Sequence, residues 1–142
     1  MQVSIHRQET NYRIRDSRRL KLFLKSLFLK EATLADSVDI ILCSDEYLLE
    51  INRQFLQHDY YTDIISFNLA APKAPLTGEL YISLERVKEN AKSEGTSLNK
   101  ELHRVIFHGC LHLCGYGDKS KKEAQLMRGK EEYYLNLYFS YS

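Results

Sequence analysis

One junction constrains this chain more than any other. Residues 38–43 (VDIILC) form a mostly apolar run, and Ser44, Asp45 and Glu46 follow at once with the cap and first-turn acids that open a helix. Leu48, Ile51 and Phe55 then recur at helical spacing. An apolar strand that feeds directly into an amphipathic helix is the opening of a βα unit and calls for a largely parallel sheet with helical cover. The preceding stretch has the same order. Residues 3–6 alternate as a short strand does, and Leu20, Phe23, Leu24, Leu27 and Phe28 fall at i, i+3, i+4, i+7 and i+8 on one helix face.

Downstream the pattern changes. Residues 62–69 (TDIISFNL) read as a buried strand, 72–75 as a loop bounded by Pro72 and Pro75, and 78–83 (GELYIS) as a second strand, its neighbour in the sheet. A short helix over 84–92 runs to Gly95. A longer one opens after Ser97 or Asn99, carries Leu102, Val105, Ile106, Gly109 and Leu113, and stops at Gly115. Ser120 and Glu123 make a capping box for a last helix with Leu126, Met127, Tyr134 and Leu137 on its apolar side. The expected fold is α/β (α+β), a single domain over 1–142, with a mixed, mainly parallel sheet of about four strands covered by about five helices.

At 44% apolar and 27% charged residues, a mainly disordered chain is excluded. No stretch reaches the ~20 apolar residues of a membrane span, and the N-terminus has no apolar core of a secretory signal, so a cytoplasmic location without membrane contact is expected. Cys43, Cys110 and Cys114 form no C-x-x-C pair and read as buried thiols. Charge is uneven: residues 1–30 hold eight Lys and Arg against two acids, and residues 31–70 hold one against eight. A basic face on the first helix suits a polyanion as well as it suits plain solvation.

Chemistry concentrates in HGCLHLCGYGD at 108–118. Helical residues four apart differ by about 40° in azimuth, so His108 and His112 can reach one ion. Gly115 ends the helix, Gly117 adds a second pliant position, and Asp118 can swing back as a third, anionic ligand. Two nitrogens and one carboxylate leave a fourth position open, as in a catalytic zinc site. Cys110 and Cys114 lie roughly 160° to 200° around the helix from the His pair and belong to the core. His103 and His6 read as histidines without a functional role, His103 partly buried. A zinc peptidase of the H-E-x-x-H type needs Glu after the first His, and Gly109 stands there.

Four segments together resemble the YbeY endoribonucleases over nearly the whole chain: INRQFLQHDYYTDIISF at 51–67, GELYIS at 78–83, HGCLHLCGYGD at 108–118 and MRGKEE at 127–132. The resemblance implies a metal-dependent RNA-cleaving enzyme of bacterial ribosomal RNA maturation and ribosome quality control. His108 and His112 match the family's first two ligands. Asp118 stands where the family has a third His, and Gly117 where it has Asp. Leu56 stands where the family has a functionally important Arg. Arg53 and His58, close by, are the candidates to meet a phosphate in its place. Asp59, Thr62, Asp63 and Ser66 match the family's D-x-x-T-D-x-x-S segment, in which Thr62 and Ser66 are expected to satisfy backbone groups.

Three functions stand. The first is a single-strand-directed metalloendoribonuclease with one zinc per chain, Arg15, Arg18, Arg19 and Lys25 contacting phosphates, and ribosomal RNA and the small ribosomal subunit as partners. The second is a metallopeptidase-like hydrolase, and the third a non-catalytic, metal-containing ribosome assembly factor.

Overall fold

A computed structural model describes residues 1–140. The elements in chain order are β1 (Gln2–Gln8), α1 (Ser17–Lys30), β2 (Ala35–Cys43), α2 (Asp45–Leu56), β3 (Ile64–Asn68), β4 (Leu76–Ser83), α3 (Leu84–Glu94), α4 (Leu98–Leu113) and α5 (Lys121–Phe139). β1 pairs parallel with β2 and β2 with β4, while β3 runs antiparallel along β4 at the edge, so the order is β1-β2-β4-β3. The mainly parallel sheet of four strands under five helices is therefore as the junctions and spacings predict.

Register decides what each face of the sheet buries. Val3, Val38 and Gly78 form one row; Ile5, Ile40, Leu80 and Ser66 form the next; Leu42, Ile82 and Ile64 form a third. The apolar side chains of these rows belong to the main core, shared with Leu20, Leu24, Leu27 and Phe28 of α1, Leu102, Ile106, Phe107 and Cys110 of α4, and Tyr134 and Tyr138 of α5. The opposite face is covered only in part: α2 sets Leu48 against Cys43 and Ile65, with Ile51, Phe67 and Tyr81 around them. Each fully buried Leu or Ile contributes about 1.5–3 kcal/mol. Ser44, Ser83, Ser97 and Ser120 each accept a backbone N–H at a helix start, about 1 kcal/mol apiece.

Several details differ from expectation. The stretch expected as a buried strand over 62–69 is the shorter edge strand β3, in which only Ile65 is buried, because an edge strand has one neighbour and only part of its outer face is covered. On α5 the inward stripe is Met127, Glu131, Tyr134, Leu135 and Tyr138, while Leu126 is 54% exposed and Leu137 half-buried. On α2 the inward residues are Leu48, Leu49 and Asn52, and Phe55 faces solvent. Each stripe turns inward a polar residue with a partner beyond its own helix, for Asn52 in the α2–β3 loop and for Glu131 on α4. His103 is buried outright rather than partly, its Nδ1–H donating to the Asn99 carbonyl at 2.7 Å and its ring stacked 4.8 Å from Tyr138. His6 lies exposed on the sheet, 3.7 Å from Asp39.

Candidate metal centre

The centre starts with how closely α4 lies on the sheet. A Cβ at Gly109 would stand 2.5 Å from Ile64 Cδ1 and 2.9 Å from Leu80 Cδ2, so the bare backbone here lets the helix approach β3 and β4. The side chain of residue 109 would point into the sheet, and residues 108 and 112, about 100° and 60° around the helix from it, therefore face the β3 edge of the sheet, where they share a cleft with Ile64 and Ser66. α4 ends in a Schellman arrangement, with Tyr116 N–H to Leu111 C=O at 3.0 Å and Gly115 N–H to His112 C=O at 2.9 Å, and Gly115 takes φ 105°. This turn brings both the Tyr116 carbonyl and Asp118 back over the last turn of α4.

His112 Nδ1–H donates to the Tyr116 carbonyl at 2.8 Å, and His108 Nδ1–H donates to Glu131 Oε2 at 2.6 Å. With both Nδ1 atoms committed to acceptors, both Nε2 atoms carry free lone pairs. His108 Nε2 lies 3.4 Å and His112 Nε2 3.2 Å from the same Asp118 oxygen, Oδ2, and the three ligand atoms all fall within 4.8 Å of one another. Zinc bonds of about 2.0–2.1 Å in a tetrahedron separate ligand atoms by about 3.3 Å. The two nitrogen–oxygen separations match that edge, so the donor set fits a divalent ion with a position left open. Asp118 does not cap α5: Ser120 does, in a complete capping box with Glu123.

Behind His108 stands a chain of buried charges that the sequence reading missed. Glu131, 3% exposed at its side chain, accepts from Arg104 at 2.8 Å, and Arg104 also holds Glu101 at 2.6 Å. Burial works against ionising Glu131, and hydrogen bonds from His108 and Arg104 outweigh it to hold the carboxyl below its usual range. The signal was present as an acid on the stripe Met127–Glu131–Tyr134, where i, i+4, i+7 spacing puts it inside the core. Cys43 and Cys110 are buried as expected, whereas Cys114 is only half-buried at the margin of the core; burial pushes up the thiols of all three.

The ligand atoms open into a cleft of about 410 Å³ whose other wall is the α2–β3 loop: Leu56, His58, Tyr60, Thr62 and Asp63 line it with Ser66. His58 is thus at the site. Arg53 is not among the lining residues; its Nε lies 2.6 Å from Asp59 and its Nη1 3.7 Å from Glu50. Arg15, Arg18, Arg19 and Lys25 do not line the cleft either. Arg15 and Arg18 are exposed and Lys25 half-buried, while Arg19 stacks 4.1 Å over the Tyr138 ring and donates to the Tyr138 carbonyl.

The family model for Endoribonuclease YbeY matches residues 2–138. This chain belongs to the YbeY family. An Endoribonuclease YbeY of Cytophaga hutchinsonii is 44% identical over 135 residues, covering 95% of this chain and 94% of that one. One of Flavobacterium psychrophilum is 42% identical over 130 residues, covering 92% of each. The solution structure of a Thermotoga maritima protein, 29% identical, superposes with a TM-score of 0.63 over 96% of this chain and 89% of that one. Within this YbeY-family fold, Leu56 lines the cleft where the family resemblance places an Arg, and Asp118 completes the cluster where it places His. No helix among the described residues is long and apolar enough to cross a membrane.

Proposed function

We propose that this protein is a metal-dependent endoribonuclease that cuts single-stranded RNA in ribosomal RNA maturation, with His108, His112 and Asp118 holding one zinc ion. The observation that carries the reading is the pair of 3.4 and 3.2 Å separations from two free imidazole nitrogens to one carboxylate oxygen, at the mouth of a cleft. A cation bound there supplies Lewis acidity toward a phosphate oxygen and toward water. The chain's own residues do the rest. Glu131 and the Tyr116 carbonyl fix the two imidazoles in the ligating tautomer. Asp118 offsets part of the ion's charge, and His58 faces the position of a bound phosphodiester from the opposite wall. Arg15, Arg18 and Lys25 present positive charge to more distant phosphates. Arg53, held by Asp59, contributes less than His58. Action in the cytoplasm, on the small ribosomal subunit and in ribosome quality control belongs to the same proposal.

The peptidase alternative is disfavoured because Gly109 stands where its general base would be, and the close packing of Ile64 and Leu80 there leaves a side chain no free room. The assembly-factor alternative draws on one observation: the described residues lining the cleft include no lysine or arginine to clamp a scissile phosphate. Incubating zinc-loaded protein with single-stranded RNA and with casein, each with and without chelator, tests all three. Chelator-sensitive RNA cleavage is expected. RNA binding without cleavage would support the assembly factor, and casein cleavage the peptidase.

A further inference from the structure

We infer that His58 and Tyr60 form a stacking platform that seats an unpaired base of the RNA beside the metal centre. The inference rests on the nuclease reading above and adds how this cleft selects its substrate. The two rings lie 5.1 Å apart at 22° between planes, and a 3.0 Å hydrogen bond joins the Tyr60 hydroxyl to His58 Nδ1. Both residues are exposed, Tyr60 by 56%, and both line the same cleft as His108, His112 and Asp118. A pair of parallel rings open to solvent has unused face area, and a nucleobase extends such a stack at little cost because every base has a π-face.

The loop is built to hold this pair. Asn52, 1% exposed at the end of α2, accepts the His58 backbone N–H on its carbonyl at 3.1 Å, and its side-chain amide donates to the Tyr60 carbonyl at 2.8 Å. Gln57, in the left-handed conformation at φ 56°, turns the chain out of α2 just before the pair. One buried residue, through its backbone carbonyl and its side-chain amide, thus anchors both ring-bearing residues to a rigid helix, so little ordering remains to be done when a base arrives. Charge points the same way. The described lining holds Asp63 and Asp118 and no lysine or arginine, so beside the ion no cationic side chain of the cleft clamps the phosphates, and ring faces are left to recognise the base. A base within a duplex is already stacked on both sides and cannot use the platform; a cleft of about 410 Å³ also suits one nucleotide rather than a helix.

The test measures binding by fluorescence anisotropy of the zinc-loaded protein on three end-labelled strands: an unstructured RNA decamer, the same sequence closed in a hairpin, and a decamer of abasic phosphodiester units. Tyr60→Ala and His58→Ala should each weaken binding of the RNA decamer by about 5- to 150-fold, the range for one base–aromatic stack. Tyr60→Phe should restore binding to within a few-fold of wild type. The hairpin should respond to either Ala change, and the abasic strand to Tyr60→Ala, by less than about twofold, because only His58 also faces a phosphate. Metal content and melting temperature are read on every variant. Equal losses on the RNA and abasic decamers in Tyr60→Ala, unchanged RNA affinity in both Ala variants, or a loss of binding that follows a loss of metal would each overturn the platform. Cleavage of the decamer by wild type is scored separately: strands bound through Tyr60 but left uncut would sink the nuclease reading and leave the platform standing.

Discussion

Two residues decide the metal centre, and they test differently. Asp118 supplies the only oxygen of the cluster and caps nothing, since Ser120 and Glu123 complete the cap of α5 without it. Asp118→Ala should therefore abolish stoichiometric zinc while leaving the melting temperature of the metal-free protein within about a degree of wild type; retained zinc by elemental analysis would remove Asp118 from the ligand set. Asp118→His should keep the ion, because an imidazole nitrogen can take the same corner of a tetrahedron. Glu131→Gln is subtler. The amide keeps the shape but weakens the acceptor that orients His108, and such outer partners are worth 10- to 100-fold in metal affinity. Competition with a chromophoric chelator should show that loss while metal content at saturating zinc stays at one. The His108–His112–Asp118 cluster was legible because helical periodicity and a terminating glycine place it within eleven consecutive residues. Glu131 was not, because its partner lies twenty-three residues earlier on another helix and only packing brings the two together.

At the scale of the elements, α4 owes its position to an absent side chain. Gly109 lets the helix lie against β3 and β4, and this contact fixes which way the His pair faces. Gly109→Glu completes the H-E-x-x-H spacing of a peptidase and should still yield none of its activity. Its carboxylate would be driven toward Ile64 and Leu80, with overpacking and burial of an unpaired charge together costing roughly 3 kcal/mol or more. A thermal melt and a casein assay check both halves, and peptidase activity in a stable variant would refute the packing argument. The same scale shows where periodicity misleads. The α2 and α5 stripes were expected around Phe55 and Leu126, yet the structure turns inward Asn52, which staples the cleft loop, and Glu131, which orients a ligand. Apolar spacing can set a polar residue on the inward face, but it cannot name the partner for which that residue is buried. The order of strands and helices was legible because caps and apolar runs are local, whereas the edge position of β3 depends on what stands beside it.

Across the whole molecule, Glu31 ties together the parts that shape the metal turn. It follows α1, its side chain is 7% exposed, and its carboxylate accepts from the hydroxyls of Tyr134 on α5 and Tyr116 at the metal turn, the latter at 2.7 Å, with Lys130 at 3.3 Å. Burial disfavours its charge, but the hydrogen bonds from Tyr134, Tyr116 and Lys130 prevail and hold its pKa below the ordinary carboxylate value. A carboxyl with a depressed folded-state pKa contributes stability that is fully present above its unfolded value, about 4.3, and is lost as pH falls through the folded value. Glu31→Gln should accordingly cost about 1–2 kcal/mol near pH 7 in metal-free protein, where the charge-assisted bonds are weakened to neutral ones. That deficit should shrink as pH drops below about 4, because wild type then loses the same charge. Denaturant melts of both proteins from pH 7 to 3 measure the difference directly. A deficit that stays constant across the range would mean that shape, not charge, is what Glu31 supplies. Because Tyr116 also presents the carbonyl that orients His112, the variant should bind zinc more weakly at neutral pH even where it remains folded.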